Sequence, residues 1–323
     1  METYTQEIAE SPVGDAGPLP VLGIAAPVPS AGLGRRWEVV RAYVELTKPR
    51  IMLLLLFTAF SAMVVASGGH LPLARTLWTM LGLALSTGGA AALNMWYDRD
   101  IDAIMRRTQR RPLPQGLVAP GQALAFGIIL GVVSTLLLAV AVNPLTAGLS
   151  LGGFLYYVFI YTMWLKRTTP QNIVIGGGAG AFPPLVGWAA VTGHLAAAAG
   201  LMFLIVFLWT PPHFWALALF KNDDYRRAGI PMMPAVRGER VTKRQSVGYA
   251  VLLVAASLLL YGTGVVGRMY LGVAAVAGLG FLILTVAMAR EQLPAVKWAK
   301  RTFLASLMYL AAVFIAMVLN VHA

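Results

Sequence analysis

Nine long apolar runs alternate with short polar segments along most of the chain. A helix needs about 20 residues to cross the hydrocarbon layer of a bilayer, which is roughly 30 Å thick. The two shortest polar breaks, Asn143-Pro144 and Gly193-His194, carry residues that end helices. The pattern therefore predicts nine transmembrane helices, at 51–67, 76–97, 121–142, 145–165, 173–192, 196–219, 246–266, 269–289 and 302–320.

The segment before the first run has a different composition. Residues 1–34 are rich in Pro, Gly and Ala and carry only acidic charges. Such a composition predicts a disordered tail. The segment lacks the basic start and apolar run of a secretory signal peptide. We therefore expect a single transmembrane domain over residues 35–323, preceded by a disordered tail.

Composition supports a membrane protein. The chain is 58% hydrophobic and only 12% charged, whereas soluble globular chains are about 25% charged. Mean hydropathy is +0.72. Cysteine is absent, which excludes disulfides and zinc-thiolate sites. These values predict an all-α polytopic membrane protein.

The charged residues are distributed unevenly between the two sides of the predicted bundle. Of 25 Lys and Arg residues, all but Arg75 and Arg268 fall in the tail or in the segments that share its side. Basic residues concentrate in cytoplasmic segments, so we predict a cytoplasmic N-terminus and an external C-terminus. All 13 acidic residues lie on the same side. We therefore expect the chemistry on the cytoplasmic side, and the net charge of +12 requires no nucleic-acid partner.

A polar motif follows the second apolar run. If the helix continues, Asn94, Asp98 and Asp102 lie at i, i+4 and i+8 on one face. Their oxygen atoms suit a hard cation such as Mg²⁺. Arg106, Arg107, Arg110 and Arg111 follow, and arginine binds phosphate oxygens bidentately. The motif predicts a metal-bound diphosphate at the membrane edge, with a merely solvated, self-neutralised helix end as the alternative.

Two further polar segments extend this prediction. Adjacent Asp223 and Asp224 follow the sixth run and are again succeeded by arginines. Two carboxylate segments that face one space can hold metal ions around a diphosphate leaving group. The loop after the fourth run has no acid but carries Lys166 and Arg167. We expect both cations to bind phosphate oxygens, although Arg167 also fits an ordinary positive-inside anchor.

Other features fit both structural and functional interpretations. Gly176-Gly177-Gly178-Ala179-Gly180 predicts close helix packing. Aromatic residues at the helix ends fit an interfacial belt, and some of them would suit stabilisation of an allylic cation. His213 follows Pro211-Pro212, which we interpret as a helix break. It fits either a hydrogen-bonded structural residue or a haem ligand or proton carrier.

The motifs together resemble a known family. Asn94, Asp98 and Asp102 match the Asn-x-x-x-Asp-x-x-x-Asp signature of the UbiA superfamily of intramembrane prenyltransferases. The second Asp-x-x-x-Asp motif of many members is replaced here by Lys221-Asn-Asp-Asp-Tyr225. Over about 45–245 the chain is most similar to the protohaem IX farnesyltransferase branch. That similarity rests on Leu46-Thr-Lys-Pro-Arg50, Arg107-Thr-x-x-Arg-Pro-Leu-Pro114, Tyr161-Thr-x-x-Leu-Lys-Arg167, Asn172-Ile-Val-Ile-Gly-Gly, Pro211-Pro-His-Phe-Trp215 and Asp223-Asp-Tyr-x-x-Ala-Gly-Ile-Pro231.

The resemblance implies a reaction and a set of site residues. Farnesyl diphosphate would give its farnesyl group to the 2-vinyl group of haem b, with addition of water, to form haem o. The implied catalytic residues are Asp98, Asp102, Lys166 and Asp224. The implied ligands of Mg²⁺, or alternatively Mn²⁺, are Asn94, Asp98, Asp102, Asp223 and Asp224. The implied substrate-binding residues are Lys48, Arg50, Arg107, Arg111, Arg167, Asn172, His213 and Tyr225.

The resemblance also implies a setting. The protein would lie in the lipid bilayer of a bacterial cytoplasmic (inner) membrane, and downstream haem-modifying or oxidase-assembly proteins would be its partners. Two other functions fit the residues. One is prenylation of another aromatic acceptor, such as a quinone precursor. The other is transport, which is disfavoured because the predicted helices carry almost no ionisable groups away from their cytoplasmic ends.

Overall fold

The computed structural model describes residues 33–292 and 294–322, and the helix is the dominant element of this range. The predicted disordered tail lies outside it except for Leu33 and Gly34, which already belong to the first helix. The helices are α1 Leu33–Leu46, α2 Pro49–Ala66, α3 Leu73–Tyr97, α4 Arg99–Ile104, α5 Pro120–Ala141, α6 Pro144–Leu155, a π-helix Tyr156–Leu165, α7 Lys166–Thr168, α8 Asn172–Thr192, α9 Ala197–Phe220, α10 Asn222–Arg227, α11 Met233–Val236, α12 Gly238–Tyr261, α13 Arg268–Arg290 and α14 Lys297–Leu319.

Nine helices within the described residues are long and apolar enough to cross a membrane, as predicted. The fourth span, Pro144–Thr168, joins α6, the π-helix and α7. The seventh span was predicted at 246–266, but α12 runs from Gly238 to Tyr261. Its first two turns are polar and were missed by hydropathy. Its end comes early because the glycines Gly262 and Gly264 follow, the latter at φ +77°.

Helix α8 packs against α2, α6 and α9. Its small residues permit very close approach. A Cβ atom on Gly187 would lie 2.1 Å from the carbonyl oxygen of Ala59, one on Gly176 would meet the Tyr161 ring, and one on Gly177 would meet Thr210. The predicted packing role of the glycine run is therefore confirmed at its start, whereas Gly180 faces open space.

The largest apolar core lies between α9, α12, α13 and α14. Trp209, Phe281 and Phe314 are among its buried members. Large apolar side chains on the outer faces of α5 and α13 are exposed, Val140 and Val276 among them. This distribution is expected of helices that face lipid on one side and protein on the other, because hydrocarbon solvates apolar side chains.

The helix breaks are as predicted at two places and differ at a third. Asn143 caps α6 by accepting a 2.8 Å hydrogen bond from the backbone N–H of Thr146. Gly193 ends α8 in the left-handed conformation. The predicted break at Pro211-Pro212 is wrong, because both prolines lie inside the continuous helix α9. A membrane helix can continue through proline because neighbouring helices and nearby side chains satisfy the backbone groups that proline leaves without a hydrogen bond.

Candidate active site

The predicted column of polar residues forms where α3 meets α4. Helix α3 ends at Tyr97, Asp98 is the joint, and α4 begins at Arg99. Helical hydrogen bonding continues across the joint, from Asp98 N to Asn94 O at 2.9 Å and from Asp102 N to Asp98 O at 2.8 Å. Asn94, Asp98 and Asp102 therefore share one face, as predicted. All three are buried, with at most 3% of their surface exposed.

Three partners fix the amide of Asn94. Its Nδ2 donates to Oδ2 of Asp98 at 2.8 Å and to Oγ1 of Thr162 at 3.0 Å. Its Oδ1 accepts a 2.6 Å hydrogen bond from Nζ of Lys48. Because both ends of the amide are engaged, its orientation is determined by the network rather than free to flip.

Each buried aspartate pairs with a cation, and for Asp98 and Asp102 that cation lies outside their own helix. Lys166 donates to Oδ2 of Asp98, and Nη1 of Arg111 lies 2.6 Å from Oδ2 of Asp102. Arg227 pairs with Asp224. Buried carboxylates are stable only when they are paired in this way. The cations therefore stand at the oxygen atoms that a metal-bound diphosphate would approach.

Arg167 binds mainly to Asp100. Two of its nitrogens each lie 2.7 Å from an Asp100 oxygen, and Nη2 lies 3.6 Å from Oδ1 of Asp98. The hydrogen bond from Arg167 lowers the pKa of the Asp100 carboxyl to about 2. Asp100 itself is mostly exposed. Arg167 thus joins the site at its rim, between the solvent-facing Asp100 and the buried Asp98.

Lys48 occupies the joint between α1 and α2. Its φ of 52° and ψ of 59° place it in the left-handed region, and it is the one non-glycine residue with positive φ among those described. Burial, assisted by the nearby Arg111 and Lys166, lowers the pKa of the Lys48 ammonium to about 7. Its left-handed backbone is a local strain of the kind that accumulates at functional sites.

The second carboxylate segment lies against the first. Tyr225 packs in one apolar cluster with Ile101 and Met105, which flank Asp102 in the chain. Burial raises the pKa of the Tyr225 hydroxyl, and the positive charges of Arg107 and Arg111 offset part of that rise. The two segments predicted to face one space are therefore neighbours.

The two adjacent aspartates differ in their environments. Asp224 is buried beside Tyr225, whereas Asp223 is exposed. Within the described residues, His, Asp and Glu side chains nowhere form a group of three that could hold a metal ion. The column uses an asparagine as its third member, and Asp224 stands on a separate helix. The role of Asp223 as a metal ligand stays a prediction.

The donor atoms of the column fit a divalent metal. Oδ1 of Asp98 is buried and accepts no hydrogen bond from any described residue. A buried carboxylate oxygen without a donor is costly unless something else satisfies it. Hard oxygen atoms from two carboxylates and one amide are the ligands that Mg²⁺ prefers. The residues present therefore fit Mg²⁺.

Three other predicted residues differ in their burial. Asn172 is buried, donates at 3.5 Å to the carbonyl oxygen of Lys166, and has no partner for its Oδ1 among the described residues. Arg50 and Arg107 are exposed. Their role in binding an anionic substrate stays a prediction.

His213 lies away from this network. Its Nδ1 is 2.6 Å from Oγ of Ser306 in α14. Its ring is stacked between Trp209 and Phe303, with centroid distances of 4.2 and 4.7 Å. These contacts join α9 to α14 and involve no residue of the column. They favour the structural interpretation, and a role as haem ligand stays a prediction.

Sequence reasoning missed two contributors to the site. Thr162 accepts a hydrogen bond from Asn94, and the hydroxyl of Tyr157 lies 3.5 Å from Nζ of Lys48. Both belong to the π-helix. Tyr157 was one of many aromatic residues near helix ends, and no signal distinguished it, because hydropathy does not reveal a π-helical register.

A comparison of the whole chain with known families agrees with this geometry. The model of the UbiA prenyltransferase family matches residues 55–318. The chain belongs to the UbiA prenyltransferase family. The match includes all nine spans of the described residues except the start of α2 and the last residue of α14, and it includes both carboxylate segments.

Individual proteins of the UbiA family are also similar. A protein of Symbiobacterium thermophilum named protoheme IX farnesyltransferase is 61% identical, over 88% of this chain and 95% of the relative. One of the same name from Rhizobium leguminosarum bv. trifolii is 50% identical, over 87% of this chain and 89% of the relative. The solved structure of a UbiA homolog from Archaeoglobus fulgidus, bound to DMAPP and Mg²⁺, has a similar fold. Its TM-score is 0.62 at 17% identity, over 85% of this chain and 98% of that chain.

Proposed function

We propose that this UbiA family member transfers the farnesyl group of farnesyl diphosphate to the 2-vinyl group of haem b, giving haem o. The observation that carries the proposal is the buried column of Asn94, Asp98 and Asp102, in which each side chain meets a cation from another segment. Such an arrangement suits a metal-bound diphosphate. The haem acceptor is supported by the relatives named protoheme IX farnesyltransferase, at 61% and 50% identity.

The residues divide into two groups by charge. Asn94, Asp98 and Asp102 would hold Mg²⁺, with Asp224 and Asp223 on the facing segment, and Mn²⁺ is an alternative ion. The metal, when bound, neutralises charge on the departing diphosphate. Lys48, Lys166, Arg107, Arg111 and Arg167 would hold phosphate oxygens, with Arg50, Asn172 and Tyr225 at the rim.

The cationic residues act on the bond that breaks. The C1–O bond of farnesyl diphosphate cleaves, and its electron pair leaves on the diphosphate oxygen. Lys166 and Arg111, which pair with Asp98 and Asp102, stabilise that developing negative charge. The electrons of the haem vinyl group form the new bond to C1. Water then adds to the resulting porphyrin-conjugated cation and loses a proton, which leaves a hydroxyethylfarnesyl chain.

Charge distribution supports a location. All but two of the basic residues lie on the side of the bundle that carries the column, and basic segments face the cytoplasm. We therefore place the site on the cytoplasmic side of a bacterial inner membrane. Haem o formed there would pass to membrane proteins that modify haem or assemble oxidases.

The test is a reconstituted reaction. Purified protein in detergent is incubated with haem b, farnesyl diphosphate and Mg²⁺, and haem products are separated and weighed by mass spectrometry. We expect a product heavier by one farnesyl group and one water, absent when EDTA is added. Prenylation of 4-hydroxybenzoate with haem b untouched would instead assign an aromatic quinone precursor as the acceptor. No turnover of any prenyl diphosphate would contradict the proposal.

A further inference from the structure

The π-helix Tyr156–Leu165 lies at the point where the fourth span meets the site. Two residues of this stretch contact the column, and a third contacts Lys48, which binds the column at Asn94. Tyr157 reaches Lys48, Thr162 binds Asn94, and Lys166, directly after the π-helix, binds Asp98. One short stretch thus supplies a ring, a hydroxyl and an ammonium to one network. π-Helical turns are rare and are often found at functional sites.

The π-helical register explains how these residues share a face. Tyr157 and Lys166 are nine positions apart, which is about 2.5 turns of an α-helix at 3.6 residues per turn. In an α-helix the two side chains would point in opposite directions. The i→i+5 hydrogen bonding of a π-helix makes each turn wider, so nine residues span close to two turns. The register therefore turns Tyr157 toward the side chains that Lys166 meets.

Tyr157 lies deeper in the fourth span than Lys166 and contacts Lys48. Its hydroxyl is 3.5 Å from Nζ of Lys48, and the same ammonium lies 6.0 Å from the centre of its ring. Lys48 in turn binds Asn94. A prenyl chain whose diphosphate meets Asp98 and Lys166 must extend from there toward the apolar interior. Its first carbons would pass the ring of Tyr157.

A second aromatic ring supports the position of Tyr157. The rings of Tyr157 and Tyr161 are stacked, with centroids 5.4 Å apart. The Tyr161 ring rests directly on Gly176 of α8, where an added Cβ would lie 2.1 Å from a ring carbon. Stacking covers one face of the Tyr157 ring, so the opposite face is the one that a cation can meet.

We infer that Tyr157 is the residue that faces the allylic cation formed when the C1–O bond of the donor breaks, and that the π-helix serves to present it there. The inference rests on the proposed prenyl transfer. As the electron pair leaves with the diphosphate, positive charge spreads over the first three carbons of the prenyl chain. The face of a desolvated aromatic ring stabilises such a charge.

The test distinguishes the effect of the aromatic ring of Tyr157 from the effect of its hydroxyl group and from a loss of folding. We expect Tyr157→Leu to lower kcat about 30-fold, which corresponds to about 2 kcal/mol at 1.36 kcal/mol per tenfold. Tyr157→Phe, which keeps the ring, should retain kcat to within about threefold. Affinity for Mg²⁺-bound farnesyl thiodiphosphate, which does not ionise, should be unchanged in both variants. Phe159→Leu is the matched control, because Phe159 lies on the same π-helix and is 53% exposed.

A graded series of fluorinated variants tests the inference even if the leucine variant does not fold. Phenylalanines with one, two and three ring fluorines at position 157 keep the shape of the ring but lower its electron density step by step. We expect log kcat to fall steadily along the series. Equal kcat across the series, or equal losses in Tyr157→Leu and Tyr157→Phe, would overturn the inference, as would a parallel loss of analogue affinity.

Diphosphate release is the readout, with whichever acceptor the wild-type protein uses. A wild-type protein that prenylates another acceptor therefore contradicts the haem assignment alone. The dependence of kcat on the ring at position 157 still confirms or overturns the inference about Tyr157.

Discussion

Lys48 donates a 2.6 Å hydrogen bond to Oδ1 of Asn94, and it does so from a left-handed backbone conformation. An L-residue with a side chain is destabilised by about 1–2 kcal/mol in that conformation. Pro49 follows at once and starts α2, so the sharp joint between α1 and α2 leaves Lys48 little freedom. The fold therefore keeps a strained residue at the position from which an ammonium reaches the deepest member of the column.

The strain at Lys48 can be measured by comparing two substitutions. Lys48→Gly and Lys48→Ala both remove the ammonium, but only glycine adopts positive φ without cost. We expect the glycine variant to be the more stable by about 1 kcal/mol, seen as a higher melting temperature in detergent. An alanine variant that melts at the same temperature or higher would show that the joint is unstrained. Both variants should lose donor affinity alike.

The aspartate column predicts a sharp difference between two neighbouring acids. We expect Asp98→Asn to lower kcat by at least about 100-fold, because the buried carboxylate that would hold the metal becomes neutral. Asp100→Asn is the matched control, since Asp100 is mostly exposed and its side chain pairs with the rim residue Arg167. It should retain most activity. Both are measured by diphosphate release across a Mg²⁺ titration.

Two results would contradict the interpretation of the column as a metal site. One is near-normal turnover by Asp98→Asn. The other is an equal loss in both variants, which would indicate that neutralisation of the arginine-rich segment, rather than metal binding, is the role of these acids. Retention of the folded state in Asp98→Asn is checked by its elution profile and helical content, because Lys166 loses its charged partner there.

The spans were predictable from the sequence because each is a nearly uniform apolar run. The start of α12 was not, because its first turns carry Glu239 and Lys243. Lys243 is nevertheless buried, bound to Glu239 and to the backbone carbonyl of Glu291. Hydropathy reads such a turn as a loop, since it cannot know that a neighbouring segment supplies the partners.

The site was predictable only in part. The spacing of Asn94, Asp98 and Asp102 determines their common face, and that prediction needed only helical geometry. The partners of these residues depend on tertiary structure. Thr162 and Tyr157 reach the column through a π-helical register, and Lys48 through a left-handed joint, and neither is encoded in residue type or hydropathy. The continuous passage of α9 through Pro211 and Pro212 likewise depends on the helices around it.

Close packing of α8 predicts another contrast. Gly187→Ala would place a methyl group 2.1 Å from the backbone oxygen of Ala59, which cannot turn aside. We expect Gly187→Ala to lower the free energy of unfolding by about 2 kcal/mol or more, since overpacked interfaces are destabilised by roughly 1–3 kcal/mol. Gly180→Ala on the same helix meets open space and should be neutral. Melting temperatures in detergent compare them, and equal stability would mean that α2 and α8 can separate at no cost.

The contacts of His213 lead to a prediction that sets its two interpretations against each other. If the residue joins α9 to α14, His213→Ala and Ser306→Ala should both lower the melting temperature. Their effects on the melting temperature should be less than additive, because each removes the same 2.6 Å contact. Haem affinity and the absorption spectrum of bound haem should be unchanged in both. A lost or shifted haem spectrum in His213→Ala, but not in Ser306→Ala, would instead identify His213 as the iron ligand. We expect the first result, because Nδ1 of the imidazole is bound to Ser306 and only 6% of the surface of His213 is exposed, which leaves little room for haem iron at the other ring nitrogen.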